Sequence, residues 1–150
     1  MNDIEIMGVL NITKNSFYDG GMFNDHKKSL QHAKYMISEG ADIIDIGAES
    51  SKPGSDSVPS KEQINKLEPV VESIREVSDI AISIDTRSSE VIKHLIKYKI
   101  NIVNDISSLE DPELLNIISE NNLSVSLMHM QGTPKTVSYT HLRAHETKKH

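Results

Sequence analysis

The sequence predicts an α/β fold built on a parallel β-sheet. Short apolar runs rich in isoleucine and valine alternate with longer segments whose apolar residues recur every three or four positions, a pattern typical of buried strands and amphipathic helices. The runs lie at residues 6–10, 43–46, 80–84, 100–103 and 124–128. Because a helical segment separates each run from the next, the strands are expected to be parallel and the helices to be crossovers. The length of 150 residues suggests one domain.

The first two predicted helices carry recognisable end signals. In the first helix the apolar residues are spaced for one buried face, and Gly40 is placed as a C-terminal stop. Ser60 and Gln63 have the spacing of a capping box at the start of the second helix. Pro69 lies inside the second helix, which is therefore predicted to kink or to split at this residue.

The last two helices are predicted from their N-terminal caps. Ser88 or Ser89 can cap the third helix. Asp111 followed by Pro112 is a typical pair of N-cap and first-turn residues for the fourth helix. The predicted order of elements is therefore β-α-β-α-β-α-β-α-β.

Two architectures are compatible with this order. A doubly wound sheet of five strands would be complete at this length, whereas an eight-stranded (β/α)8 barrel, typically about 250 residues long, would be half present. No glycine-rich dinucleotide-binding fingerprint follows any of the strands, which weakens the nucleotide-binding form of the first architecture. The periodicity alone does not separate the two.

The composition argues against several classes of function. The formal net charge of −6 disfavours binding to nucleic acid or to acidic membranes. No apolar run approaches the roughly 18 residues of a membrane helix, and the acidic N-terminus lacks the layout of a signal peptide. The chain has no cysteine, which excludes disulfides and thiolate chemistry and fits a reducing compartment. We therefore expect a cytoplasmic protein.

Polar residues stand at or just beyond the end of every predicted strand, where parallel α/β folds bind their ligands. They are Asn11, Asp45, Glu49, Asp85, Asn104, Asp105 and His129. Any one of them could simply cap a helix or complete a turn, but five strands ending in this way favour a shared binding site. The loop at 11–21, with two aromatic residues and a double glycine, predicts a flap, and the loop at 49–54 offers hydroxyls and a lysine to an anion.

Several of these segments resemble the signature motifs of one enzyme family. They are MGVLNIT at 7–13, DGG at 19–21, DIGAESSKPG at 45–54, SIDT at 83–86, IVNDI at 102–106 and LMHMQG at 127–132. In this order and spacing they resemble the dihydropteroate synthases, over residues 6–136. The resemblance implies an α/β (β/α)8 TIM barrel, truncated after about four and a half βα units. It also divides the chain into an N-terminal part of a pterin-binding barrel at 1–137 and a tail at 138–150.

The tail reads SYTHLRAHETKKH and has no apolar periodicity. Its histidines permit the interpretation of a metal-binding tract. The interpretation favoured here is sequence foreign to the gene, such as a linker or vector read-through.

The resemblance implies a condensation in folate biosynthesis. The family joins (7,8-dihydropterin-6-yl)methyl diphosphate to p-aminobenzoate, with release of diphosphate and formation of dihydropteroate. These small molecules are then the partners and Mg²⁺ the cofactor, with a homodimer as one expectation for the full-length protein. The alternatives are the methyltetrahydrofolate-binding domain of a corrinoid methyltransferase and an inactive pterin-binding fragment.

Several residues match functional positions of the family. Asn11 matches a residue that helps to hold Mg²⁺ on the diphosphate, a task that suits a neutral oxygen ligand. Asp85 and Asn104 match contacts to the pterin ring, and Asp85 is expected to stabilise developing positive charge. Catalysis is thus assigned to Asp85 and Asn11. The substrate-binding residues implied by the resemblance are Ser51, Lys52, Asp85, Asn104 and Met128.

The sequence departs from the family pattern in two loops and in its extent. Lys14 and Asn15 stand where the family usually has Pro and Asp. Ser51 and Lys52 replace Thr and Arg, so the hydroxyl and the cation survive but the guanidinium fork is lost, and a weaker grip on the anion is expected. The diphosphate-binding residues of the later family strands have no counterpart. We therefore expect the 150-residue chain alone to be inactive and, with open sheet edges, poorly soluble.

Overall fold

The structure is a computed structural model that describes residues 4–12, 22–49, 56–105 and 109–127. Strands and helices alternate along these ranges, and a short 3₁₀ turn at Ile96–Tyr98 follows the third helix. The elements are β1 (Met7–Asn11), α1 (Met22–Ser38), β2 (Ile43–Gly47), α2 (Ser60–Val77), β3 (Ala81–Asp85), α3 (Ser89–Leu95), β4 (Ile102–Asp105), α4 (Pro112–Glu120) and β5 (Ser124–Leu127). Within these ranges, no helix is both long enough and apolar enough to cross a bilayer.

The five strands form one parallel sheet in the order β1-β2-β3-β4-β5. A doubly wound sheet reverses its strand order at a switch point, whereas this sheet follows the order of the chain throughout. Because each right-handed crossover then returns on the same side of the sheet, all four helices cover one face and neighbouring helices pack side by side. This is the winding of a (β/α) barrel, and it excludes the doubly wound alternative.

The register identifies which residues face the helices. Gly8, Ile44 and Ile82 lie side by side on neighbouring strands. A Cβ atom added to Gly8 would come within 2.8 Å of the Met36 sulfur of α1, so this face is the helix side. Since side chains alternate along a strand, every second residue of each strand points to the opposite face, which we call the inner face. The inner-face residues are Met7, Val9, Asn11, Ile43, Asp45, Gly47, Ala81, Ser83, Asp85, Ile102, Asn104, Ser124 and Ser126.

The hydrophobic core lies between the sheet and the helices. On the strand side it consists of fully buried residues of β2, β3 and β4, and on the helix side of one apolar face of each helix. The buried strand residues include Ile44, Ile46, Ile82, Ile84 and Val103. The buried helix residues include Ala33, Leu67, Val70, Val71, Ile74, Val91, Ile92, Leu95, Leu114 and Ile117. This packing fixes the strands, and with them every inner-face side chain.

Three of the predicted helix ends are confirmed. Gly40 adopts a φ of +100°, a conformation that glycine reaches without strain, two residues after α1 ends. The Ser88 hydroxyl accepts the backbone N–H of Val91 at 3.4 Å. The Asp111 carboxylate accepts the backbone N–H of Glu113 at 3.0 Å, ahead of a first-turn proline.

The predicted capping box of α2 is wrong. The N-cap is Pro59, and no side chain caps the helix. The Ser60 hydroxyl pairs with that of Ser88 at 2.7 Å. The Gln63 side chain is occupied by the buried Thr86 hydroxyl, which donates to its Oε1 at 2.8 Å. Thr86, in the β3–α3 loop, therefore binds the Gln63 side chain that the capping box would have required.

Pro69 was predicted to kink or to split α2, and the split does not occur, because α2 continues as one helix from Ser60 to Val77. Proline removes one helical hydrogen bond and crowds the preceding turn, at a cost of about 3 kcal/mol. Fully or almost fully buried apolar residues lie on both sides of it, with Leu67 before and Val70, Val71 and Ile74 after. Their burial against the sheet offsets the local cost and holds both halves in one helix.

Candidate active site

The carboxyl-terminal edge of the inner face carries one row of residues that runs across the whole sheet. Asn11 pairs with Gly47, Gly47 with Asp85, and Asp85 with Asn104, which is followed by Ser126. Neighbouring strands lie about 4.8 Å apart, so Asp85 and Asn104 are adjacent and Asn11 lies about 10 Å from Asp85. The structure thus brings three of the sequence-predicted site residues, Asn11, Asp85 and Asn104, to the edge where parallel α/β folds bind ligands.

The absence of a side chain at Gly47 makes room for Asp85. A Cβ atom at position 47 would lie 3.1 Å from the Asp85 Cβ and 3.3 Å from its Oδ2. Both distances are shorter than ordinary van der Waals contact. Glycine between Asn11 and Asp85 therefore leaves a gap in the row, into which the Asp85 carboxyl extends. Gly47 was not among the site residues predicted from the sequence.

Asp85 has an unusual charge state for an aspartate. Its pKa is raised to about 7, first because the partly buried carboxyl loses solvation, and then because Asp45, Glu49 and Asp105 add negative charge nearby. The Arg87 guanidinium opposes these effects only in part. Near neutral pH the carboxyl is therefore present in both protonation states, so it can donate or accept a hydrogen bond.

Asp45 lies one layer below this row, in the middle of β2 and not at the strand end that the sequence suggested. It is 3% exposed and accepts two hydrogen bonds, from the Ser83 hydroxyl at 2.6 Å and from the Asn104 amide nitrogen at 3.2 Å. Burial raises the pKa of Asp45, and the two hydrogen bonds partly offset this rise. Asp45 was predicted among the strand-end residues without a specific role, and Ser83 was not predicted at all, although a polar residue inside an apolar strand was a usable signal.

Asp105 does not join the row, contrary to the expectation that all strand-end residues converge. Side-chain alternation turns it to the helix side of β4. There its carboxylate accepts the backbone N–H of Leu109 at 2.8 Å, a contact that joins Leu109 to the end of β4.

Glu49 joins two loops at the rim of the site. Its Oε1 accepts a hydrogen bond from the Arg87 guanidinium at 2.6 Å and one from the backbone N–H of Val58 at 3.3 Å. Arg87 follows β3 and Val58 precedes α2, so the pair ties the β2–α2 loop to the β3–α3 loop. A cleft of about 410 Å³ lies beside it. The cleft is lined by Glu49, Ser57, Val58, Pro59, Ser60, Gln63, Arg87, Ser88, Glu110 and Asp111.

The other predicted site residues, Ser51, Lys52 and Met128, lie outside the described residues, as do His129 and residues 13–21 of the predicted flap at 11–21. Across the part of the chain that is described, no group of three or more His, Cys, Asp or Glu side chains could hold a metal ion.

Comparison with known proteins relates this geometry to one family. The family model described as "Pterin binding enzyme" matches residues 7–150. The dihydropteroate synthase of Escherichia coli K12 is 46% identical over 132 residues, which cover 88% of this chain and 47% of the relative. The chain therefore spans about half the length of this relative.

Solved structures give the same relationship. The dihydropteroate synthase of Clostridium difficile, determined in the presence of pteroic acid, matches with a TM-score of 0.79 and 41% identity over 85% of this chain and 49% of that one. That of Xanthomonas albilineans, determined with 4-aminobenzoic acid, matches with a TM-score of 0.80 and 33% identity over 87% and 48%. The predicted TIM-barrel fold class is confirmed, and the five-stranded sheet corresponds to a part of that barrel.

Proposed function

The chain belongs to the pterin-binding enzyme family, and we propose from this that it forms the pterin side of the active site of a dihydropteroate synthase. In this reaction the amino nitrogen of p-aminobenzoate forms a bond to the methylene carbon of (7,8-dihydropterin-6-yl)methyl diphosphate. The bond from that carbon to the diphosphate oxygen breaks, and diphosphate leaves with the electron pair. The attacking nitrogen loses one proton, and the product is dihydropteroate.

The row of Asn11, Gly47, Asp85 and Asn104 is the observation that carries this proposal. It gathers a carboxyl, an amide and a second amide on one face at the carboxyl ends of three strands, with an open position at Gly47. A pterin ring presents a dense edge of ring nitrogens, an amino group and a carbonyl. Carboxyl and amide side chains on adjacent strands supply the acceptors and donors that such an edge requires.

Asp85 is proposed to act on the pterin directly. As the bond to diphosphate weakens, positive charge develops on the pterin methylene and spreads into the ring. A carboxyl with a pKa of about 7 is poised to become fully ionised when a cation forms beside it. Asp85 would therefore interact more strongly with the transition state than with the bound substrate, which is the requirement for catalysis.

Asn11 is proposed to hold Mg²⁺ on the diphosphate. Its exposed side chain lies at the rim, and a neutral amide oxygen suits a hard cation. When bound, Mg²⁺ neutralises charge on the leaving group. The role proposed for this chain is to orient the diphosphate toward Asn11.

The loop between Glu49 and Val58 is proposed to grip the same anion through Ser51 and Lys52. The ion pair of Glu49 with Arg87 supports this role, because it anchors both sides of the loop at the rim. Met128 is proposed to line the pterin pocket just after β5. The domain boundary at 137–138, the homodimer and the cytoplasmic location remain predictions from the sequence.

Titration calorimetry on the intact protein tests the proposal. We expect (7,8-dihydropterin-6-yl)methyl diphosphate to bind more tightly with Mg²⁺ than without it, and dihydropteroate to form when p-aminobenzoate is added. Asp85→Ala should weaken pterin binding by about 10- to 100-fold, because a charged hydrogen-bond partner is lost from a partly buried site. Asp79→Ala is the matched control, since Asp79 is an exposed aspartate before the other end of β3.

Two results would contradict the proposal. One is equal pterin affinity of the Asp85→Ala and Asp79→Ala variants. The other is binding of methyltetrahydrofolate by the wild-type protein with no binding of the pterin diphosphate, which would favour the corrinoid methyltransferase domain.

A further inference from the structure

Asp45 is a costly residue for the interior of a sheet. Its carboxyl is 3% exposed, and among the described residues its hydrogen-bond partners are the Ser83 hydroxyl and the Asn104 amide, neither of which is a cation. Burial of a carboxylate without a cationic partner opposes folding. Unfavourable burial of this kind is typical of functional sites, so Asp45 is expected to serve the residues that it contacts.

The hydrogen bonds of Asp45 determine which way the Asn104 amide points. An ionised carboxylate only accepts hydrogen bonds, and the Ser83 hydroxyl already donates to Oδ1 at 2.6 Å. Asn104 must therefore present its NH₂ group to Oδ2, as it does at 3.2 Å. The Asn104 Oδ1 then lies on the other side of the amide, and no hydrogen bond to it comes from another described residue. In the reversed orientation two acceptors would face each other at Asp45.

We propose that Asp45 is a positioning residue of the pterin site, which acts through Asn104. While ionised and held by Ser83, it locks the Asn104 amide so that Oδ1 is the acceptor offered to the ligand. The inference rests on the proposed function, because it assigns to Asn104 the recognition of a pterin edge. A reversed amide would place a donor against a donor and an acceptor against an acceptor on that edge.

Asp45 has a second, electrostatic connection to the site. The charged groups that act on Asp85 are Asp45, Glu49 and Asp105, which raise its pKa, and Arg87, which lowers it. Removal of the Asp45 charge therefore moves the pKa of Asp85 downward. The pKa of Asp85 can therefore distinguish the charge of Asp45 from its hydrogen bonds. A neutral amide at position 45 keeps a hydrogen-bond acceptor but carries no charge.

Two substitutions in the intact protein test the proposal. Asp45→Leu removes both the charge and the acceptors, so Asn104 is free to reverse. We expect the KM for the pterin diphosphate to rise about 10- to 100-fold, as for other residues that orient a ligand-binding side chain, with the KM for p-aminobenzoate changed by less than about twofold. Asp45→Asn retains an acceptor for Asn104 and a donor for Ser83, so it should rescue most of the pterin affinity. The pH dependence of pterin affinity should differ from that of the wild type, because in Asp45→Asn the change in affinity on acidification should occur at a lower pH.

Ile92→Ala is the control for a merely structural effect. Ile92 is fully buried on α3 against the helix side of the sheet, so its replacement destabilises the fold without touching the inner face. We expect this variant to melt at a lower temperature with an unchanged KM for the pterin diphosphate. An Asp45→Leu variant that binds the pterin as tightly as the wild type would overturn the proposal. So would equal increases of both substrate KM values in that variant, or an Asp45→Asn variant no better than Asp45→Leu. Failure of the wild-type protein to bind the pterin would instead refute the proposed function.

Discussion

Replacement of Asp85 by asparagine is expected to stabilise the protein above neutral pH while it weakens pterin binding. In the folded protein the pKa of Asp85 is about 7, against 3.8 for an unperturbed aspartate. Between these two pH values the folded state retains a proton that the unfolded chain has lost. The free energy of unfolding therefore falls as the pH rises from about 4 to about 7, and Asp85 destabilises the protein at higher pH.

The magnitude follows from the size of this pKa difference. Each pKa unit corresponds to 1.36 kcal/mol, so the rise from 3.8 to about 7 corresponds to about 4 kcal/mol at pH 8. Asparagine has nearly the shape of a protonated aspartate and does not ionise. The Asp85→Asn variant should therefore match the wild type near pH 4 and exceed its stability by several kcal/mol at pH 8.

Urea unfolding followed by circular dichroism from pH 4 to pH 8.5 measures this difference. Asp111→Asn is the matched control, because hydrogen bonds to Ser89 and to the first turn of α4 lower the pKa of Asp111. The stabilisation from Asp111 is complete above its ordinary pKa of 3.8 and is lost only at lower pH, so Asp111→Asn should lower the free energy of unfolding by a nearly constant amount from about pH 5 to pH 8.5. Parallel stability curves for wild type and Asp85→Asn across this pH range would refute the reasoning, because they would mean that Asp85 titrates alike in both states.

Three further substitutions test other features of the structure. Gly47→Ala should lower pterin affinity about tenfold in calorimetry, because the new methyl group displaces the Asp85 carboxyl; an unchanged affinity would contradict the assigned gap. Arg87→Gln should raise the KM for the pterin diphosphate several-fold in steady-state assays and leave the KM for p-aminobenzoate unaffected, because the ion pair that anchors Glu49 is lost. An equal rise in both KM values would contradict this and indicate a general destabilisation of the site. Asp111→Ala should cost about 1 kcal/mol in thermal unfolding through loss of an N-cap; a variant as stable as the wild type would show that this cap contributes nothing.

The elements of the fold could be predicted because their causes are local. Apolar runs of β-branched residues predicted all five strands, with β4 beginning at Ile102, two residues later than expected. Ser88 and Asp111 cap their helices through backbone groups two or three residues away, so no distant partner is needed. The polar residues at the strand ends indicated the binding edge, since Asp85 and Asn104 both lie there.

Other features depended on partners far away in sequence, and local patterns did not reveal them. The capping box at Ser60 and Gln63 failed because Thr86, from another loop, takes the Gln63 side chain. The split predicted as one outcome at Pro69 did not occur, because the whole of α2 packs on one sheet. In both cases tertiary contacts outweigh a local preference worth only a few kcal/mol.

The sequence by itself determined the strands, three of the helix ends and the parallel α/β class of this protein, because these follow from side-chain periodicity and from contacts within a turn. The tertiary structure alone decided how the strands align. Strand register places Asp45 beside Ser83 and sets Gly47 against Asp85, and a shift of one residue would turn each of these side chains to the other face. The buried carboxylate that orients Asn104 and the raised pKa of Asp85 are consequences of that alignment, because proximity and loss of solvent exist only once the sheet has packed.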